Sequence, residues 1–104
     1  MRVYVAGPYT GDQALNVRNA ILAGDRLLKA GHQPYIPHLC HFWHMIAPRP
    51  YDNWMALDLL WLEQCEALIL LKGRSPGAEI EVEYAERHGI DVYYEGVEAF
   101  LDRF

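Results

Sequence analysis

The chain has 104 residues, which is enough for one hydrophobic core and too few for two, so we expect a single domain over residues 1–104. Its formal net charge is −5 and its lysines and arginines are scattered, which argues against a nucleic-acid polymer or an anionic membrane surface as partner. No apolar run is long enough to span a bilayer and the first residues do not resemble a signal sequence, so we predict a cytoplasmic protein.

The apolar pattern predicts strands that alternate with helices. A buried strand over residues 2–6 is followed by a helix over 13–30 and a strand over 33–36. The predicted elements of the second half are a helix, a strand, a helix, a strand and a short closing helix, over 54–64, 67–71, 77–88, 90–94 and from 95 onward. This alternation predicts a mostly parallel sheet with helices on both faces.

Ligands of such sheets bind beyond the carboxyl ends of the strands, where the strand order reverses. This rule brings the loop of residues 7–11 beside the loop of residues 72–77. The first loop reads Gly7-Pro8-Tyr9-Thr10-Gly11. It matches neither the dinucleotide fingerprint nor the P-loop, so a dinucleotide or triphosphate site is disfavoured.

Glu81 differs from the other glutamates of its predicted helix. At about 100° per residue, Glu79, Glu83 and Glu86 share one arc, whereas Glu81 points with the apolar residues. An inward carboxylate is costly unless it is paired or functional. The nearby helix N-terminus favours anions, which allows a carboxylate at Glu81 to stay ionised. Ser75 is either the N-cap of this helix or a phosphate ligand together with its adjacent amides.

Asp58 is a second carboxylate in an unexpected position, since its predicted helix is apolar on almost every side. It shares a face with Trp54, Trp61 and Cys65. A structural pair with a buried arginine or histidine is one interpretation. The other is catalysis, because two carboxylates that face one crevice suit glycosidic chemistry.

The histidines and cysteines of the chain are possible metal ligands. His38, His41 and His44 recur every three residues, a spacing that is poor for one common ion on a single helix, so we predict no metal. Solvent-facing or substrate-lining histidines are favoured instead, with His38 the best candidate for the site because it follows the second strand. Cys40 and Cys65 lack metal or redox spacing and are predicted to be reduced and buried, with a disulfide as the alternative.

The loop of residues 48–54 contains two prolines and is predicted to end in a helix cap. Its aromatic residues Tyr51 and Trp54 are candidates for stacking on a base.

Four segments together resemble the nucleoside 2-deoxyribosyltransferase superfamily, which includes small nucleotide N-hydrolases and a compact uncharacterised branch. The segments lie in the expected order and read Val3-Tyr4-Val5-Ala6-Gly7-Pro8-Tyr9-Thr10-Gly11, Pro37-His38, Asp58-Leu59-Leu60-Trp61-Leu62-Glu63-Gln64-Cys65-Glu66-Ala67 and Ser75-Pro76-Gly77-Ala78-Glu79-Ile80-Glu81.

The resemblance implies roles for individual residues. Glu81 corresponds to the nucleophile that attacks the anomeric carbon, Asp58 to the aspartate that contacts the sugar or assists proton transfer, and Tyr9 to the aromatic residue of the first loop. Ser75 stands where nucleotide hydrolases bind phosphate, which favours a 5′-monophosphate substrate. The chain is shorter than the characterised enzymes and lacks the C-terminal extension that completes a neighbouring subunit's site in that family.

We therefore predict a flavodoxin-like three-layer α/β sandwich with a parallel sheet of four to five strands. The expected activity is hydrolysis or transfer at the N-glycosidic bond of a nucleoside or nucleotide, without a metal or organic cofactor. Tyr9 is expected to hold the nucleophile, Ser75 and Gly77 to receive phosphate, and the remaining binding residues are Gly7, Pro8, Thr10, Gly11, His38, Tyr51 and Trp54. The alternatives are a non-catalytic nucleotide-binding module and a metal-dependent hydrolase.

The assembly is predicted from the helix of residues 54–64, which is more apolar than one face of a thin sheet can cover. We expect a homodimer or a larger homo-oligomer.

Overall fold

Four parallel strands form the sheet in the computed structural model, which describes residues 1–73 and 75–104. The elements in chain order are β1 (Arg2–Ala6), α1 (Gln13–Lys29), β2 (Gln33–Tyr35), α2 (Cys40–Ile46), α3 (Tyr51–Leu62), β3 (Ala67–Leu70), α4 (Pro76–Arg87), β4 (Asp91–Tyr93) and α5 (Gly96–Arg103). A 3₁₀ turn over Pro37–Leu39 joins β2 to α2. The strands lie in the order β2-β1-β3-β4.

Strand β1 is apolar or aromatic on both faces because helices cover both faces of the sheet. Val3 and Val5 pack in one core with residues of α1 and with Phe100 of α5. Tyr4 and Ala6 belong to the opposite core, which residues of α3 and α4 complete. The predicted three-layer flavodoxin-like sandwich is confirmed, with four strands in its sheet.

The elements between β2 and β3 differ most from the sequence prediction. Helix α3 begins at Tyr51 instead of residue 54, because Pro50, with φ −57° and ψ 148°, ends the extended loop immediately before the first turn. Tyr51 therefore lies in a helix. Helix α2 was not predicted as an element, and none of its residues is buried, so no inward apolar face marks it in the sequence.

The strand order reverses at β1, which pairs with β2 on one side and with β3 on the other. The amide of Leu71 donates to the carbonyl of Ala6 at 2.8 Å, which continues this pairing beyond the ends of the strands. The loops that follow β1 and β3 are consequently neighbours, as predicted. This edge of the sheet positions the candidate site.

Helices α2 and α3 carry much exposed apolar surface. The residues concerned are Phe42, Trp43, Met45, Ile46, Leu60 and Trp61, each at least half exposed. Within the two described ranges, no helix combines the length and the hydropathy that a membrane crossing requires.

Candidate active site

A cavity of about 570 Å³ opens at the carboxyl ends of the strands, between the loop after β1, helix α2 and the start of α4. Ten of the residues predicted for the site line it: Gly7, Tyr9, Thr10, His38, Tyr51, Trp54, Asp58, Ser75, Gly77 and Glu81. The topology thus brings together side chains from four separate parts of the sequence.

Glu81 lies on the buried side of α4 with 5% of its surface exposed. Glu79, Glu83 and Glu86 of the same helix are exposed, as their arc predicted. The hydroxyl of Tyr4, a fully buried residue of β1, donates a hydrogen bond to Oε2 of Glu81. A neutral phenol, and no cation among the described residues, is therefore the hydrogen-bond partner of this carboxyl.

Asp58 is buried on α3 and has an equivalent partner. The hydroxyl of Tyr35, in β2, donates to Oδ1 of Asp58 at 3.0 Å, and the Cys40 thiol lies 4.0 Å from the same oxygen. The Trp61 ring stacks on the Tyr35 ring, with the two ring centroids 5.7 Å apart. The predicted alternative, a pair with a buried arginine or histidine, is not formed with any residue that the structure describes.

The two tyrosines are paired by the sheet register. Tyr4 of β1 lies opposite Tyr35 of β2, and their rings stack with centroids 5.4 Å apart. Each ring directs its hydroxyl to a different carboxyl. The parallel pairing of two strands therefore holds Glu81 and Asp58 on one side of the sheet.

Both carboxyls have raised pKa values. Burial raises the pKa of Glu81 to about 8, with a further increase from the charge of Asp58, while the Tyr4 hydrogen bond acts in the opposite direction. Burial raises the pKa of Asp58 to about 7 against the effect of Tyr35. Glu81 lies beyond the first turn of α4, where the helix N-terminus favours anions less, and the Tyr4 hydroxyl is the contact that favours its ionised form.

Tyr9 does not make the contact expected of it. Its hydroxyl lies 2.6 Å from Nδ1 of His41, on α2, and the hydrogen bond to Glu81 comes from Tyr4 instead. Tyr4 alternates into the α4 face of the sheet, whereas Tyr9 is carried by the loop toward α2. Tyr9 lines the cavity, and its contact with His41 joins the two sides of the opening.

The three predicted histidines have separate partners. Nε2 of His38 donates to the carbonyl of Pro8 at 3.0 Å, and burial lowers the pKa of its ring. Nδ1 of His44 accepts from the Trp54 indole at 2.9 Å. In the part of the chain that the structure describes, no group of three or more His, Cys, Asp or Glu side chains is placed to bind a metal ion.

Both cysteines are unpaired, as predicted, but half-buried. Burial raises the pKa of the Cys40 thiol to about 11, and that of Cys65 equally. Neither thiol is therefore ionised at neutral pH.

The first turn of α4 forms another wall of the cavity. Oγ of Ser75 accepts from the amide of Ala78 at 3.0 Å, so the N-cap interpretation of this serine is confirmed. A Cβ at Gly77 would lie 2.9 Å from the hydroxyl oxygen of Tyr51, so glycine leaves room for the Tyr51 hydroxyl against the first turn of α4.

Two predicted residues, Pro8 and Gly11, do not line the cavity. Pro8 instead borders a smaller cavity of about 230 Å³, together with Asn16 and Lys72. His41 and His44, which the sequence left as solvent-facing or substrate-lining, also line the cavity. The lining residues that the sequence interpretation did not assign to the site are Gln13, Pro37, Cys40, Arg49, Met55, Pro76, Ala78 and Ile80.

Tyr4 and Tyr35 were not identified from the sequence as the hydrogen-bond partners of Glu81 and Asp58, although the sequence contains a feature that indicates them. A tyrosine inside a buried strand requires a partner for its hydroxyl, and both predicted strands contain one.

Residues 1–94 match the family described as "Domain of unknown function (DUF4406)". Among solved structures, the chain is similar to a 2-deoxyribosyltransferase from the psychrotolerant bacterium Bacillus psychrosaccharolyticus, with a TM-score of 0.64 and 17% identity over 88% of this chain and 69% of that one. This similarity shows a shared fold. A comparison with curated proteins found no match.

Proposed function

The chain belongs to the DUF4406 family, and we propose from the geometry of its cavity that it breaks the N-glycosidic bond of a nucleoside or nucleoside 5′-monophosphate. The observation that carries this proposal is the pair of buried carboxyls, Glu81 and Asp58, each held by a tyrosine hydroxyl at the wall of one cavity. Glycoside-cleaving enzymes use two such groups, one as nucleophile and one in proton transfer.

In the proposed first step, the ionised Glu81 carboxylate attacks C1′ of the sugar. A bond forms between its oxygen and C1′, the bond from C1′ to the base nitrogen breaks, and the electron pair passes to the base. Asp58 in its protonated form donates a proton to the leaving base, or orients the sugar while solvent supplies that proton. The product is a glycosyl ester of Glu81.

In the proposed second step, water attacks C1′, loses a proton, and releases the sugar with the Glu81 carboxylate restored. Transfer to a second base by the same route gives exchange instead of hydrolysis. Both carboxyls have pKa values near neutrality, which lets the pair hold one proton at physiological pH. Because Glu81 has the higher pKa, this proton lies mainly on Glu81, and the first step proceeds from the minor form in which Asp58 carries it.

The aromatic and polar walls of the cavity support the proposed substrate class. Tyr51 and Trp54 line the cavity and are the proposed stacking partners of the base, and Ser75 with Gly77 at the start of α4 is the proposed phosphate end. The related solved structure is described as a 2-deoxyribosyltransferase and a biocatalyst for nucleoside synthesis, which supports a nucleoside as the substrate.

A panel of 2′-deoxyribonucleosides and their 5′-monophosphates tests the proposal, with released base separated by chromatography. We expect release of base from at least one monophosphate, in the presence of a chelator as well as in its absence. Release that a chelator abolishes would contradict the metal-free mechanism.

The second candidate is a non-catalytic nucleotide-binding module. The observation in its favour is that Glu81, with a pKa of about 8, is mostly protonated at pH 7 and is then a poor nucleophile. Tight binding of a nucleotide with no base release between pH 6 and pH 9 would favour this function.

A further inference from the structure

We propose that Arg49 is the specificity-determining residue that selects a phosphorylated substrate, by binding the 5′-phosphate through its guanidinium. This inference rests on the proposed function and identifies a residue that the sequence interpretation did not assign to the site. Among the described residues that line the 570 Å³ cavity, Arg49 is the one lysine or arginine.

The charge of Arg49 is available to a ligand. Its side chain makes no salt bridge or hydrogen bond with any residue that the structure describes, in contrast to Arg2, Arg26 and Arg87, whose guanidinium groups pair with glutamates. The planar guanidinium binds phosphate through two parallel hydrogen bonds. An unpaired arginine at the wall of a cavity therefore has the chemistry of an anion ligand.

The backbone at Arg49 is held in place. Its amide donates to Nδ1 of His44 at 3.2 Å, and the same nitrogen accepts from the Trp54 indole. Pro48 and Pro50 flank the residue and restrict its backbone further. The loop between α2 and α3 thus presents the guanidinium with little loss of backbone freedom on binding.

Arg49 also lies on the segment that approaches the proposed phosphate end. Tyr51, two residues further along, contacts the first turn of α4, where a Cβ at Gly77 would lie 2.9 Å from its hydroxyl oxygen. The cavity contains two carboxyls and the chain carries a net charge of −5. A phosphate would be repelled as these groups ionise, so a cation in the wall is needed to favour it.

The test is equilibrium binding, measured by calorimetry with the four common 2′-deoxyribonucleoside 5′-monophosphates and the matching nucleosides. Using Glu81→Gln as the parent protein prevents turnover. We expect Arg49→Gln to weaken monophosphate binding at least about tenfold and to change nucleoside binding less than about twofold. Arg49→Lys should recover only part of the loss, because an ammonium does not bond in two parallel directions.

Arg18→Gln is the matched control, since it removes the same charge from an exposed position of α1 outside the cavity. It should leave the preference for monophosphates unchanged. Equal losses for monophosphates and nucleosides in Arg49→Gln, an equal effect of Arg18→Gln, or no monophosphate binding by the parent protein would overturn the inference.

Failure of the Arg49 inference can be distinguished from failure of the proposed function. Arg49-dependent monophosphate binding by a protein whose Glu81-containing form releases no base supports the inference and contradicts the enzyme. Base release that Arg49→Gln leaves unchanged for both substrate classes supports the enzyme and overturns the inference.

Discussion

The hydroxyl of Tyr4 donates to the carboxyl of Glu81, and this bond joins β1 to α4 across 77 positions of sequence. Burial and the charge of Asp58 favour the neutral form of Glu81, whereas the Tyr4 hydroxyl favours the ionised form. The fraction of Glu81 that can act as a nucleophile is therefore set by the balance of these interactions.

Activity should rise with pH as Glu81 ionises, so we predict that kcat/KM for base release increases to a maximum between about pH 7 and pH 8 and then falls as Asp58 loses the proton it donates. Tyr4→Phe removes a contact that lowers the pKa of Glu81, so its acid limb should move to higher pH. A displacement of one pH unit would reduce kcat/KM on this limb about tenfold. The measurement is the pH profile of kcat/KM for both proteins.

Asp58→Asn is a control that should shift the pKa of Glu81 in the direction opposite to Tyr4→Phe. It removes the charge that raises the pKa of Glu81, so the acid limb should move to lower pH even though the maximal rate falls. Identical midpoints in wild type, Tyr4→Phe and Asp58→Asn would contradict this account of the ionisation of Glu81.

The raised pKa of Glu81 also makes stability depend on pH. From about 4.5, its ordinary value, to about 8, folded Glu81 keeps a proton that the unfolded chain has released, so its contribution to stability is lost as pH rises. The slope for one proton is at most about 1.4 kcal/mol per pH unit. Urea unfolding of wild type and Glu81→Gln at pH 5 and pH 8 measures it.

Glu81→Gln should be increasingly more stable than wild type as pH rises over this range. Glu79→Gln, at an exposed position of the same helix, should follow the wild type within about 0.5 kcal/mol at both pH values. A stability difference between wild type and Glu81→Gln that stays constant with pH would be inconsistent with a buried, protonated Glu81.

Ser75→Asp tests the phosphate end of the cavity. Aspartate is as good an N-cap as serine, so the substitution should preserve α4 while placing a negative charge beside the proposed phosphate. We predict that wild type processes 5′-monophosphates better than nucleosides and that Ser75→Asp reverses or flattens this preference. The ratio of kcat/KM for the two substrate classes is the measurement, and a ratio of one in wild type would refute the prediction.

The exposed apolar surface of α2 and α3 predicts self-association, and we expect a homodimer or larger oligomer at micromolar concentration by light scattering. Leu60→Glu on α3 should shift the mass toward the monomer, because burial of a charge opposes association. Leu28→Glu on α1 is a matched control, since both leucines are 61% exposed. A monomeric wild type, or equal effects of the two substitutions, would argue against an interface on α3.

The sheet was predictable because its strands have distinct apolar patterns bounded by loops. Glu81 and Asp58 were also predictable, since a carboxylate among apolar neighbours is visible in the sequence as a departure from helical amphipathicity. Both are buried and line one cavity. The spacing of residues 79–86 was sufficient to separate Glu81 from its exposed neighbours.

The partners of these carboxyls were less predictable, because they depend on strand register. That Tyr4 instead of Tyr9 contacts Glu81 follows from the pairing of β1 with its neighbours and from the position of α4 over that face. Helix α2 has no buried residue, so the sequence carries no inward apolar face from which to predict it. The loop of residues 48–54 was predicted to border the site through Tyr51 and Trp54, but the sequence alone does not show that the Arg49 side chain also lines the cavity.

The most direct test of the central claim is base release per folded molecule by Glu81→Gln, compared with Glu79→Gln. Glutamine preserves the shape of the side chain and can accept the Tyr4 hydrogen bond, so the melting temperature should be unchanged or raised. We predict that Glu81→Gln loses nearly all base release while Glu79→Gln keeps it. A Glu81→Gln protein that retains its activity per folded molecule would contradict the assignment of Glu81 as the nucleophile.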